Sequence, residues 1–326
     1  MKSSLLKCLS HTPLRGLNDP GVDVTQAVDA VIAQARRDVE AFDPELIVLF
    51  APDHYNGLFY DLMPQFVVAA GAESVGDYGT PTGALSVDRQ AAGQLARHLL
   101  DDAFDVTVSH RLQVDHGCTQ TLVELTGSLT RYPVLPIVIN SVAPPFCSYR
   151  RIRQLGESVG RFIAGLDRRT FIVGSGGLSH EPPVPLLHGA QDDIAEFLIA
   201  GRNPTPEARA ARQARTIAAG RVYGTPGSSL TPLNPEWDQA FIELLLQGRL
   251  RDVDDFDLEE ISKAAGRSTH EIRNWVAAFA ALSSLGAYRG RLDFYRPIPE
   301  WIAGYGVVSA EPVSTAAAIN TETHTS

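Results

Sequence analysis

No stretch of the 326-residue sequence stays apolar long enough to cross a membrane as a helix. The opening residues, MKSSLLKCLSHTPLRG, carry only a few apolar side chains before His11 and Pro13, too short and too interrupted for a secretory signal. Cysteine is scarce. Cys8, Cys118 and Cys147 form an odd, scattered set without Cys-x-x-Cys spacing, which speaks against a disulfide framework or a thiolate zinc site. Reduced thiols in the cytoplasm are the expectation. Positive charge is also short: 28 Lys and Arg face 38 Asp and Glu, giving a net charge of −10 with no basic block. Nucleic acid is therefore not expected as a partner, and neither is a membrane. An anionic small molecule would need a local basic pocket, because the overall field repels it.

What is present is a large apolar content, 44%, enough for a sizeable core. Short apolar runs alternate with amphipathic stretches over the first three-quarters of the chain. SLLKCLS, ELIVLFA, QFVVAAG, FDVTVSH, PVLPIVIN and RTFIVG read as strands, several of them Val/Ile/Leu-rich as in a sheet covered on both faces. Helices are expected over 22–42, 86–101, 119–129 and 148–166. Beyond residue 185 they are expected over 186–200, 206–221, 235–248, 257–265 and 269–284. The alternation predicts an α/β fold, one domain with a mixed or largely parallel central sheet flanked by helices and a helix-rich C-terminal part. The expected domain runs over 1–308; the small, polar 309–326 reads as a disordered tail.

The segment FIVGSGGLSHEPPVP, 171–185, ends an apolar run in three glycines and then places His180 before Pro182 and Pro183. It lacks the Gly-x-Ser-x-Gly of a nucleophile elbow, the third glycine of a dinucleotide fingerprint and the second histidine of a zincin. What remains is a strand entering a loop that carries an imidazole. Of the nine histidines, His11, His54, His116 and His180 all fall just past the carboxyl end of an expected strand. That edge is where ligands bind in an open α/β sheet. His98 and His188, expected in helices, and His110 at a strand end read as structural. Neutral imidazoles suit a metal, and two of them with one carboxylate form the facial triad of non-haem Fe(II) sites. The carboxylate stays open at this point. Glu271 opens a helix containing Ile272, Trp275, Val276 and Phe279 on one face, but Ser268 and Glu271 also spell a Ser-x-x-Glu capping box. Glu181 and Asp53 are rivals beside candidate histidines. Asp115 is positioned either to orient His116 or to cap a loop.

Taken together, CLSHTPL, LFAPDHYNGLFYD, QVDHG, GSGGLSHEPPVP, STHEIRNWVAAFAA and RPIPEWIAGYG resemble the class III extradiol ring-cleaving dioxygenases, in the same order and from about residue 5 to 308. The resemblance implies a cytoplasmic, homo-oligomeric enzyme of aromatic catabolism. It would use Fe(2+) and O2 to open the ring of a catechol beside the diol, the catechol bearing a carboxylated side chain. It implies His11, His54 and Glu271 as metal ligands, His180 as proton acceptor and His116 as proton donor. On this reading the glycines near His180 let the backbone approach a planar substrate, and the prolines stiffen the loop. Cys118 departs from the bulkier apolar residue common in the family, which bears on substrate packing. Two alternatives remain on the same fold: a non-enzymatic Memo-like scaffold and a metal-dependent hydrolase.

Overall fold

The structure, a computed structural model, describes residues 3–313. Its strands are β1 (Ser4–Leu9), β2 (Leu46–Ala51), β3 (Phe66–Ala69), β4 (Ala72–Val75), β5 (Thr82–Ala84), β6 (Thr107–Ser109), β7 (Leu112–Val114), β8 (Val134–Ile139), β9 (Thr170–Ser175), β10 (Tyr288–Ile298) and β11 (Ala303–Pro312). The helices are α1 (Val22–Phe42), α2 (Arg89–Asp101), α3 (His116–Thr126), α4 (Tyr149–Ala164), α5 (Asp192–Ala200), α6 (Pro206–Val222), α7 (Pro235–Leu246), α8 (Leu258–Ala265) and α9 (Ile272–Ser283). None among the described residues is long and apolar enough to cross a membrane.

Eight strands form the main sheet in the order β10-β11-β1-β9-β2-β8-β3-β6, and β5-β4-β7 form a small second sheet. The expected α/β class with a mixed sheet is what the chain adopts. β1, β9, β2 and β8 run parallel. Their apolar runs are buried on both faces because each side of the sheet carries helices. Along β2 the alternation sorts the side chains: Val48 and Phe50 join the cluster packed with α2, α4 and α9, whereas Ile47 and Leu49 join the one packed with α1.

α9 differs from the one-faced helix expected. Ile272 through Leu282 are all buried, and the alanines between the large side chains are what permit close approach on every side. The tightest contact is with α4. A methyl group on Gly160 would lie 1.9 Å from Ser284 Oγ and 2.3 Å from the Ala281 carbonyl oxygen. Gly160→Ala is therefore expected to lower stability by about 1–3 kcal/mol, the usual cost of overpacking a tight core, as read from urea unfolding. Unchanged stability would mean that α4 can slide without loss.

The β10–β11 hairpin is not among the strands expected from the sequence. β10 is a half-exposed edge strand with Arg289, Arg291 and Arg296 and a proline near its end, so it lacks clean alternation. β11 pairs antiparallel with β1, which joins the C-terminal part directly to the first strand. It also carries Ser309–Pro312 as strand, four residues past the boundary expected at 308, because Ala310 packs into the core and Ser309 pairs with Lys7. The rest of the expected tail from residue 314, including His324, lies outside the described residues. His188 sits exposed in a turn before α5 rather than in a helix.

Candidate active site

Three of the four histidines arrive as expected. β1, β2 and β9 are parallel neighbours, so the chain leaves them at one edge and brings His11, His54 and His180 together there. His116 arrives by another route. β3 runs antiparallel to β8, and β6 is parallel to β3, so the carboxyl end of β6 faces the opposite edge. The small sheet corrects the direction: β7 leads through Asp115 into α3, and His116 is its first residue.

The three imidazoles from the main sheet converge on one carboxylate. Glu271 lies with Oε2 3.2 Å from His11 Nε2 and Oε1 3.0 Å from His54 Nε2 and 3.1 Å from His180 Nε2. The capping-box reading of Ser268 and Glu271 is not realised, since no side-chain cap bond forms at either local helix start. Glu271 instead accepts from the Gly177 backbone N–H at 3.1 Å and is almost wholly buried. Its rivals are engaged elsewhere. Asp53 closes its own loop by accepting from the N–H groups of Asn56, Gly57 and Leu58, and burial and neighbouring Asp115 push its carboxyl up to about 7. Glu181 pairs with Arg267 and accepts from the Thr231 N–H.

The other ring nitrogen of each histidine has a fixed partner, which aims the Nε2 atoms inward. His11 Nδ1 meets Ser175 Oγ at 3.0 Å, and His180 Nδ1 donates to the Leu178 carbonyl at 2.8 Å. His54 Nδ1 lies 3.2 Å from Asp115 Oδ2, which also accepts from the His54 backbone N–H at 2.7 Å. Asp115 orients His54 rather than His116, and its other oxygen caps α3 at the Gly117 N–H. The carboxylate that holds His116 is Asp77, missed in the sequence because GDYG reads as an ordinary turn. Asp77 Oδ2 accepts from His116 Nδ1 at 2.5 Å and Oδ1 from the His116 backbone N–H at 2.8 Å, and Asp77 is fully buried.

The electrostatics are dominated by Glu271. Burial alone would raise its pKa, but the surrounding imidazoles hold it well below the usual carboxylate range. Burial lowers His11 to about 3 against the opposing pull of Glu271. For His54 and His180 burial also favours the neutral ring, but carboxylates outweigh it and raise both: Asp115 and Glu271 for His54, Glu271 for His180.

The glycines before His180 serve a different purpose from the one expected. A methyl group at Gly176 would lie 2.5 Å from the Glu271 carbonyl oxygen, and one at Gly177 would strike the His180 ring at 2.4 Å. They admit Glu271 and the imidazole itself, not a substrate plane. Cys118 packs in the core with α1 and the inner strands and does not line the site.

A pocket opens above these groups, lined by His11, His54, His116, His180 and Glu271. Pro182, Pro183, Val184, Phe197, Trp301 and Ile302 give it apolar walls. The donor set suits a divalent metal. His11, His54 and Glu271 supply two imidazoles and a carboxylate, and His11, His54 and His116 offer nitrogens within 4.8 Å of one another.

An α/β sheet with imidazoles and a carboxylate at one edge of its parallel strands defines a metal-site enzyme with an apolar substrate pocket. The chain belongs to the family described as the catalytic LigB subunit of aromatic ring-opening dioxygenase, whose model matches residues 5–306. Membership implies a metal cofactor, a small aromatic substrate and O2. The chain is 75% identical over 306 residues to the 2,3-dihydroxyphenylpropionate/2,3-dihydroxicinnamic acid 1,2-dioxygenase of Azotobacter vinelandii, covering 94% of this chain and 98% of that one. It is 73% identical to the protein of the same name from Xanthobacter autotrophicus and 70% to one from Dechloromonas aromatica, with the same coverage. Among solved structures, an uncharacterized protein from Escherichia coli K12 shares the fold, with a TM-score of 0.50 and 13% identity over 95% of this chain and 99% of that one.

The His116–Asp77 pair makes a prediction of its own. Asp77→Asn keeps the size but removes the carboxylate that accepts from His116 Nδ1 and fixes the ring. Turnover is expected to fall by about 10- to 100-fold, the usual effect of losing a carboxylate behind a functional histidine, with metal content retained. Steady-state O2 uptake and metal analysis on the same preparation check it; wild-type turnover would remove Asp77 from the site's workings.

Proposed function

We propose that this chain opens the aromatic ring of 2,3-dihydroxyphenylpropionate or 2,3-dihydroxycinnamate beside the diol, using O2 and Fe(2+) held by His11, His54 and Glu271. The observation that carries the proposal is the convergence of three oriented imidazole Nε2 atoms on the buried Glu271 carboxylate at the floor of an apolar pocket. The relatives' names supply the substrate class. A bound ferrous ion would supply the Lewis acidity and the electron path that let a catechol and O2 react.

The remaining steps fall to the chain's own side chains. The pocket walls exclude water and clamp the ring, which makes the encounter of the reactants effectively intramolecular. His180 takes a phenolic proton at Nε2. As placed, both of its nitrogens face acceptors, the Leu178 carbonyl and Glu271. A cation on Glu271 would cancel the charge that holds the Nε2 proton and leave that nitrogen as a base. His116, its Nδ1–H fixed by Asp77, gives a proton from Nε2 to the oxygen atom that departs as dioxygen is split.

The test is anaerobic reconstitution with Fe(2+), addition of 3-(2,3-dihydroxyphenyl)propionate, and admission of O2. One O2 consumed per substrate with a yellow dienoate product is the expected result. Iron-loaded protein that consumes no O2 with this catechol or with 2,3-dihydroxycinnamate would sink the reading. A hydrolase or a scaffold on the same fold would consume none.

A further inference from the structure

We propose that Arg212 is the specificity residue that binds the side-chain carboxylate of the substrate, an inference that rests on the ring-cleavage reading for the ligand's identity. Apart from the site histidines, Arg212 is the single cationic side chain among the described residues lining the pocket, in a protein whose net charge is −10. An anion entering this pocket must be drawn by something local, and the acids that line it, Asp77 and Glu271, oppose it.

The placement of Arg212 fits that task. It projects from α6, which forms one wall, and its guanidinium carbon lies 5.2 Å from the centroid of the Phe197 ring. Nη1 donates to the Tyr55 carbonyl at 3.1 Å, and Nη2 donates to Asn56 Oδ1 at 2.7 Å. Both acceptors are neutral. Among the described residues no carboxylate lies within ion-pair distance of it, in contrast to Arg153, which has two, and Arg202 and Arg267, which have one each. The guanidinium keeps donors for a planar, bidentate anion, and a carboxylate matches that fork.

Its position is also tied to the site. Asn56, which accepts from Arg212, donates from Nδ2 to Asp115 Oδ2 at 2.9 Å, and Asp115 in turn holds His54. A short chain of hydrogen bonds thus fixes the cation relative to His54, one of the residues that would hold the metal. A catechol with its hydroxyls toward His54 and Glu271 and its ring between the apolar walls would direct a short acidic side chain toward α6. A neutral side chain there would leave the guanidinium without its counter-charge.

Binding without O2 separates this role from turnover. Calorimetric titration of the iron-loaded protein under anaerobic conditions would compare 3-(2,3-dihydroxyphenyl)propionate with 3-propylcatechol, which has the diol and no carboxylate. The wild-type protein is expected to prefer the acid by at least about tenfold, and Arg212→Gln to lose about 10- to 100-fold of that preference, the effect of deleting a charge-assisted pair. Arg212→Lys should keep part of it, and Arg215→Gln, exposed on the same helix, all of it. Equal binding of the two catechols by the wild type, an unchanged preference in Arg212→Gln, or an equal loss for both ligands would overturn the assignment. The last outcome would make Arg212 a fastener between α6 and the Tyr55–Asn56 loop. O2 uptake by the same protein reports separately on ring cleavage: selective binding without uptake would retain the anchor and sink the activity.

Discussion

Glu271→Gln is expected to lose at least about 100-fold in affinity for Fe(2+) and to be inactive at equimolar metal. Losing a partner one bond further from a metal already costs about 10- to 100-fold, and a direct ligand costs more. The reasoning starts from what Glu271 does in the fold. Its carboxylate is the meeting point of His11, His54 and His180, which come from three different strands. An amide of the same size still fills the space and accepts from the Gly177 N–H, so the fold should persist. What disappears is the negative charge. Without it His11 and His180 lose their anionic partner, His54 keeps only Asp115, and a divalent cation meets only neutral nitrogens. The variant also separates two ligand sets. If the metal sat on His11, His54 and His116, whose nitrogens also lie within 4.8 Å of each other, Glu271→Gln would keep it. Metal content after reconstitution, measured beside circular dichroism and thermal unfolding, decides the matter. A folded Glu271→Gln protein with stoichiometric iron would reject Glu271 as a ligand.

The parts of this site that could be read from the sequence are those whose signal is local. His11, His54 and His180 follow apolar runs long enough to be strands, and those strands turn out to be parallel neighbours. For His116 the local pattern gives only part of the reason. FDVTVSH does form a strand, but that strand points the other way, and direction is set by pairing with β3, which no local pattern reveals. Glu271 could not be separated from a helix cap because both readings use the same spacing. Only packing of α9 against β9 shows that its carboxylate turns toward the imidazoles. Asp77 lies in a turn whose composition is ordinary, and its importance comes from a contact with a histidine 39 residues away. Arg212 is one of several arginines along ARAARQARTI, which reads as a solvated helix face. The β10–β11 hairpin was hidden for the opposite reason. β10 is a half-exposed edge strand whose charges and proline break the alternation by which strands are recognised.

His180→Ala and His116→Ala are expected to retain iron and to lose about 10²- to 10⁴-fold in turnover each, the usual worth of a general acid or base. The two variants should fail at different points, and anaerobic binding tells them apart. His180 Nε2 is proposed to take the phenolic proton, so without it the catechol should bind weakly or remain neutral. The absorption change that marks an ionised catechol on binding should then be lost. His116 acts only when an oxygen departs, so His116→Ala should bind the ionised catechol as the wild type does and fail only after O2 is admitted. Each ring is oriented through Nδ1. His180 is held by a neutral backbone carbonyl, while its Nε2 faces Glu271. His116 is oriented by the buried Asp77 carboxylate, which accepts from Nδ1 and fixes the ring. A His116→Ala protein that cannot bind iron would place His116 among the ligands. A His180→Ala protein that binds the ionised catechol normally and turns over at the wild-type rate would end its assignment as base.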